Sequence, residues 1–436
     1  MTSGQLAASG YPARSYAWTV VAILIATAIL SYTDRQVLSL LVDPVRADLH
    51  ISDTQVSLLL GTAFAVVYGI AGIPLGFLAD RTSRRNLIFA GVLVWSAGTL
   101  ACGLSRSFGE LFAARIVVGL GEAVLSPAAI SLISDYFPPS RRGFAVGCFL
   151  SGIAMGIGAS ILIGGGVLRL VEMGALAATP LAGQPEWRLV LLVIGAPGIV
   201  WALAILAIRE PTRRTEKDDA PGEKTSSNAR AATWTLVTPV YAVVALASLV
   251  DNAFGAWAPS LLIREFGRDS AEVGIVLGLL LTAGFGGGVL AGGWLADRAG
   301  AHGGWTRKLG VCLVSSLLIL PVSLLINVGQ YEVVLLAVPV YFALSGSVTA
   351  LGFSAILDLV PNRSRGLAMA ISFFLNVAIG AGAGPTAVAF ASDHFFGANV
   401  GLGPAITLTA GVSYAIAAMT LLGTLWICQP RRSFSQ

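Results

Sequence analysis

Four charged side chains stand inside apolar runs of helical length: Asp34 and Arg35 in one run, Arg115 and Glu122 in another. Carboxylates at such depth can take up and release protons. Arginines can hold an anion, because the planar guanidinium donates to two oxygens at once. Each charge costs about 2.5–3.5 kcal/mol at the centre of a membrane helix, so four unpaired charges would cost on the order of 10–14 kcal/mol. Pairing, or water in a cavity, must offset that cost. Arg115, Gly119 and Glu122 follow one another at spacings of four and three and share a helical face. Gly119 leaves room for a partner helix between the two charges. Asp34 and Arg35 point about 100° apart and need different partners. The pairing expected is Arg115 with Asp34 and Glu122 with Arg35, although spacing alone does not fix it. Buried ion pairs seldom add net stability over apolar packing, which argues against a static lock. Asp34 and Glu122 are therefore the candidate proton-coupling residues, and Arg35 and Arg115 the candidate contacts for an anionic group.

The second half of the chain holds fewer charges at depth. Asp251 and Asn252 are its main polar mark, followed by Phe254 and Trp257, and Asn376 follows Phe373 and Phe374 further on. A charged first half and an apolar, aromatic second half suit an amphiphile, its head on the arginines and its tail on the aromatics. Asp251, Asn252, Phe254, Trp257, Phe373 and Asn376 are accordingly expected substrate contacts. The plainer reading is that the aromatics only pack or face lipid.

The elements that must position these residues follow from composition. Of 436 residues, 56% are hydrophobic and 11% charged, where soluble domains carry about a quarter charged residues. The membrane is the natural solvent for such a chain. Apolar runs lie near 16–42, 54–79, 87–105, 108–136, 143–171 and 187–208, then near 235–263, 272–296, 308–327, 331–358, 366–391 and 402–428. Each can cross about 30 Å of hydrocarbon. The expected division is a six-helix bundle over 1–208, a polar cytoplasmic linker over 209–234 and a second six-helix bundle over 235–436. Arg and Lys gather after the even-numbered runs, while Asp43, Asp48, Asp53, Glu172, Glu186, Glu332 and Asp393 lie after the odd ones. That bias puts both termini in the cytoplasm of a multi-pass protein, in the inner (cell) membrane if the chain is bacterial.

Other classes are disfavoured. The net charge of +4 comes from basic residues scattered over loops, so no nucleic-acid partner is expected. Cys102, Cys148, Cys312 and Cys428 sit in apolar runs without CxxC spacing, and His50, His302 and His394 are far apart. No metal, cofactor or enzymatic constellation is indicated, and no phosphate-binding glycine loop. Rings of polar residues or repeated carbonyl loops, which a channel needs, are also missing.

The halves repeat. Asp34 precedes Gly76-Phe77-Leu78-Ala79-Asp80-Arg81, and Asp251 precedes Gly293-Trp294-Leu295-Ala296-Asp297-Arg298 at the same offset. Pro138…Arg142-Gly143 recurs as Pro361…Arg365-Gly366. Internal duplication of a membrane unit is a common plan of secondary transporters. Gly76-x-x-x-Asp80-Arg81-x-x-Arg84-Arg85 resembles the signature loop of the major facilitator superfamily, and Arg115, Gly119 and Ala123 resemble a second signature of that family. Ser31-Tyr32-Thr33-Asp34-Arg35, Gly119-Leu120-Gly121-Glu122-Ala123 and Asp135-Tyr136-Phe137-Pro138 with Arg141-Arg142-Gly143 are similar to its Spinster branch. The resemblance implies an all-α membrane protein of twelve transmembrane helices in two pseudo-symmetric six-helix bundles. It implies a cytoplasmic gate at Gly76, Asp80, Arg81, Arg84 and Arg85, with Asp297 and Arg298 in the repeat, and a coupling and head-group cluster of Asp34, Arg35, Arg115 and Glu122. The expected function is proton-coupled transport, by alternating access, of an amphiphilic anionic lipid of the lysophospholipid or sphingoid phosphate class. A drug or organic-anion exporter of the same fold is the alternative. The partners are that substrate, protons and membrane lipids, for a chain that works as a monomer.

Overall fold

The computed structural model describes residues 11–211, 227–361, 364–396 and 401–427; a few helical side chains within those ranges, Asp80 among them, lie outside the description. So do residues 212–226, the middle of the linker. All regular structure among the described residues is helical. The first half holds α1 (Arg14–Gln36), α2 (Val42–Leu49), α3 (Asp53–Ser57), α4 (Ala63–Arg81), α5 (Arg84–Leu104), α6 (Phe108–Glu122), α7 (Leu125–Tyr136), α8 (Pro139–Glu172) and α9 (Glu186–Leu206). The second holds α10 (Ser227–Phe266), α11 (Ser270–Leu324), α12 (Tyr331–Leu359), α13 (Arg365–Leu375), α14 (Gly382–Ala391) and α15 (Gly403–Ile427).

Ten helical stretches among the described residues are long and apolar enough to cross a membrane. One of them, Ser270–Asn327, has 58 residues and is broken inside α11 at Gly303 and Gly304. Gly304 has φ 62° and ψ −154°, a conformation that a Cβ would make costly, so the stretch turns back and crosses twice. The 34 residues of α8 span roughly 50 Å at 1.5 Å per residue and supply a further crossing. The chain is an all-α, multi-pass membrane protein of twelve spans. Large apolar side chains remain exposed along these helices, among them Ile70, Leu290, Leu336 and Trp426. In hydrocarbon such residues need no cover, which is why the runs are apolar on every face.

The chain divides into two compact units, Met1–Ala220 with Ala256–Thr282, and Pro221–Gly255 with Ala283–Gln436. This differs from a cut at the linker: residues 256–282, from the second half of the sequence, group with the first. An ion cluster ties this segment to the start of α2 and of α3. Arg264, near the end of α10, donates from Nε to Asp43 Oδ1 at 2.6 Å and from both terminal nitrogens to Asp53 at 2.8 and 2.9 Å. Asp43 starts α2 and Asp53 starts α3.

The charge-rich helix ends repeat. Arg84, first residue of α5, is buried and pairs with Asp135 of α7 and, at 2.8 Å, with Glu210 after α9. In the other unit Lys308 pairs with Asp358 at 2.6 Å. The sequence reading took Arg84 and Arg85 as gate or topology charges. The structure commits Arg84 to bracing the ends of helices within its own unit. Glu210 gathers the Ser83 hydroxyl at 3.0 Å and the Arg85 N–H at 2.9 Å as well, so its carboxylate covers the free N–H groups that open α5. Partial burial pushes the Glu210 carboxyl up, but the bonds from the Arg85 N–H, Arg84 and Ser83 outweigh it and hold it below its ordinary value of 4.5. A lowered folded-state value means the interaction stabilises the fold above the ordinary carboxylate range and is lost as pH falls through the lowered value. Glu210→Gln is therefore expected to melt earlier than wild type at neutral pH in detergent, with the gap closing below about pH 4. A gap that does not change with pH would assign the loss to packing instead.

Candidate functional site

The four charges at depth meet inside the first unit. Asp34 and Arg35 occupy the last turn of α1, and Glu122 is the final residue of α6. Arg35 donates to Glu122 Oε2 from Nη2 at 2.6 Å and from Nε at 3.2 Å. The Glu122 side chain is fully enclosed and that of Arg35 is 14% exposed. Three rings surround the guanidinium: Phe64 at 3.9 Å, Tyr32 at 4.7 Å and Tyr68 at 5.6 Å from ring centre to Cζ. Cation–π contact of this kind is worth about 2 kcal/mol or more where water is excluded. Arg35 is thus held by electrostatics from several sides while keeping a small open edge.

Gly119 makes this enclosure possible. A Cβ there would stand 2.9 Å from the Phe64 carbonyl oxygen, so its absence lets α4 and α6 touch backbone to backbone and sets the Phe64 ring against Arg35. The sequence spacing of Arg115, Gly119 and Glu122 foretold that gap but not the aromatic residue that uses it.

Arg115 departs from the expected pairing. Its Nε donates to the Leu59 carbonyl at 3.1 Å, and its terminal nitrogens donate to the carbonyls of Asp34 at 3.4 Å and Arg35 at 3.5 Å. Leu59 lies in the π-helical turn Leu58–Thr62 that joins α3 to α4. The last carbonyls of a helix have no partner within it and carry the negative end of its dipole. Arg115 therefore binds the C-terminal end of α1 rather than the Asp34 side chain. The Asp34 carboxyl, 1% exposed, has the Trp95 indole N–H and the Thr99 hydroxyl as its polar side-chain neighbours, and neither stands at close hydrogen-bond distance. Glu122 Oε1 has no hydrogen-bond partner.

The expected contacts of the second half are placed differently. Asp251 accepts from the Ser345 hydroxyl at 2.6 Å. Asn252 donates to the Ser248 carbonyl at 2.9 Å, and Ser248 donates to the Asn376 carbonyl. Phe254 is fully buried against Tyr341 and Phe342, and Trp257 is fully buried. Both are packing residues in this state rather than an open surface. Phe373 and Phe374 are 40% and 49% exposed. On the gate motif, Arg81, Asp297 and Arg298 are exposed, and Arg298 lies over the Trp294 ring; Gly76 has open space around it. The Asp80 side chain lies outside the described residues.

Overpacking a helix contact costs about 1–3 kcal/mol. Gly119→Val is expected to lower the melting temperature of the detergent-purified protein and to pull Phe64 off Arg35. A melt equal to wild type would show that α4 and α6 separate without cost.

Comparison with known proteins agrees with this architecture. The family model described as Major Facilitator Superfamily matches residues 24–385. An MFS-type efflux pump of Mycolicibacterium smegmatis is 30% identical over 427 residues, 95% of this chain and 93% of the relative. A hexuronate transporter of Bacillus subtilis is 27% identical over 391 residues, 86% of this chain and 88% of that one. Among solved structures, a bacterial homologue of the human lysosomal transporter Spinster, in an inward-facing and unoccupied conformation, superposes with a TM-score of 0.77 at 25% identity, covering 95% of this chain and 96% of the other. Twelve spans, a duplicated loop motif and a family model over most of the sequence give one answer: the chain belongs to the Major Facilitator Superfamily, with Spinster-like proteins among its structural neighbours.

Proposed function

We propose that this chain is a proton-coupled secondary transporter that moves an amphiphilic organic anion across the membrane by alternating access. One observation carries the reading. A buried Asp–Arg–Glu cluster holds a tight ion pair, Arg35 with Glu122, and an Asp34 carboxyl that neither arginine side chain bonds. An unpaired charge at that depth is costly. A proton on Asp34 removes the cost at that group, and a proton on Glu122 releases Arg35. A freed guanidinium in an aromatic enclosure then has two parallel donors for a carboxylate or phosphate. Proton and anionic head group therefore compete for the same partners, which is the elementary requirement for coupling their movements. Arg115, tied to the end of α1, holds Asp34 and Arg35 in place rather than meeting the cargo first.

The lysophospholipid or sphingoid phosphate class fits an anionic head with an apolar tail. Its support is the Spinster-like neighbour, together with the exposed Phe373 and Phe374 rings. A compact organic anion is the second reading. It is favoured by the similarity to a hexuronate transporter and an efflux pump, and it uses the same Arg35. The gate role of Gly76, Asp80, Arg81, Arg84, Arg85, Asp297 and Arg298 belongs to this proposal, as do cytoplasmic termini, residence in the cell membrane and function as a monomer.

In proteoliposomes with an imposed pH gradient, Asp34→Asn is expected to abolish proton-driven flux while leaving binding measurable. Flux that still follows the gradient would remove Asp34 from coupling. Arg35→Ala is expected to weaken binding of anionic ligands at least tenfold, about 1.4 kcal/mol, and neutral analogues little. A thermal-shift panel of lysolipids, sphingoid phosphates, hexuronates and neutral drugs reads both points. Equal loss for charged and neutral ligands would mark a folding defect, and stabilisation by hexuronates alone would favour the compact-anion reading.

A further inference from the structure

The second unit contains a chain of hydroxyl groups that ends on a carboxylate. Tyr414 of α15 donates to Ser345 Oγ at 2.8 Å, and Ser345 of α12 donates to Asp251 Oδ1 of α10 at 2.6 Å. Beyond Tyr414 stands the wholly buried Tyr341 hydroxyl, whose polar neighbour is Tyr414. Both tyrosine rings are packed edge to face, with centres 6.3 Å apart.

The groups facing Asp251 are few. Ser345, Tyr341 and Tyr414 face it from α12 and α15. On α10 itself Asn252 and Ser248 are turned to each other and to Asn376. Cys312 of α11 lies next to Tyr414. Among the described residues no Arg, Lys or His side chain pairs with Asp251. Its neighbours are thus hydroxyls, which can either donate or accept. Asp251 is part-exposed.

The direction of donation matters. All hydroxyl hydrogens now point towards the carboxylate. If Asp251 takes a proton on Oδ1, it becomes a donor, Ser345 must turn its own hydrogen to Tyr414, and Tyr414 must find another acceptor. The Tyr341 oxygen, buried beside Tyr414, can be that acceptor. We propose that Asp251, Ser345, Tyr414 and Tyr341 form a second proton-binding site, in which protonation of the carboxylate reverses the hydroxyl chain. The proton comes from water and no covalent bond other than its O–H is made. The use of this site in coupling rests on the transport reading above; its binding of a proton does not.

Infrared pH-difference spectroscopy of the full-length protein in liposomes, with no substrate added, tests the site directly. The carbonyl stretch of protonated, water-poor carboxylic acids should appear on acidification in wild type, and the component of it that Asp251→Asn removes should persist in Asp34→Asn. Tyr341→Phe removes only the hydroxyl and keeps the ring packed against Tyr414. It should lower the midpoint of that component by about one pH unit, tenfold in proton affinity, because the protonated form loses its terminal acceptor. A band undiminished in Asp251→Asn, or a midpoint of the Asp251 component unmoved in Tyr341→Phe, would overturn the proposal. Should Asp251→Asn fail to fold, the Tyr341→Phe midpoint decides. Proton-driven flux intact in Asp34→Asn would instead sink the coupling role of the first unit and leave this site standing.

Discussion

An arginine and a glutamate paired at membrane depth constrain everything around them. Arg35 and Glu122 cannot be exposed to lipid at bearable cost, so helices must close over them. α4 closes because Gly119 lets it approach, and it brings Phe64 with it. α1 ends in a turn whose free carbonyls attract Arg115. Aromatic faces and main-chain dipoles thus do the work that water does elsewhere. The result is tight around the cations and loose around the carboxylates. That asymmetry distinguishes this cluster from a structural ion pair, in which both partners would be saturated.

The ion pairs near the helix ends show the contrast. Arg84 is held by Asp135, Glu210 and the Ser131 main chain and hydroxyl together, and Lys308 by Asp358 and Ser354. These are saturated, and they tie the ends of neighbouring helices together inside each unit. They recur in both halves because the same junction between spans recurs. Arg264 shows a third arrangement, one guanidinium shared by two aspartates. It carries residues 256–282 into the first unit, although the sequence gives them no special mark.

The two units differ in how they treat a carboxylate at depth. In the first, Asp34 lies beside arginines and pairs with neither. In the second, no Arg, Lys or His among the described residues pairs with Asp251, and hydroxyls meet it. Duplication supplied both positions, since they share an offset with the loop motif. Divergence then gave one an electrostatic environment and the other a hydroxyl chain.

The amino-acid sequence by itself determined the class of this protein. Apolar runs of span length, a basic bias in alternate loops and a repeated Gly-x-x-x-Asp-Arg loop leave few solutions other than twelve crossings. The spacing of Arg115, Gly119 and Glu122 also identified a shared face, but it left the pairing of the four charges open. What tertiary structure alone decided is which groups meet across helices. Nothing local marks Phe64, Tyr68 or Trp95 as neighbours of the charges, because an aromatic residue in an apolar run looks like any other packing residue. Main-chain carbonyls have no sequence signature, so the true partners of Arg115 were invisible. Glu210 reads as a linker charge until the start of α5 is seen beside it. Side-chain type fixes which interactions are possible, but the approach of one helix to another, often permitted by a single glycine, selects among them.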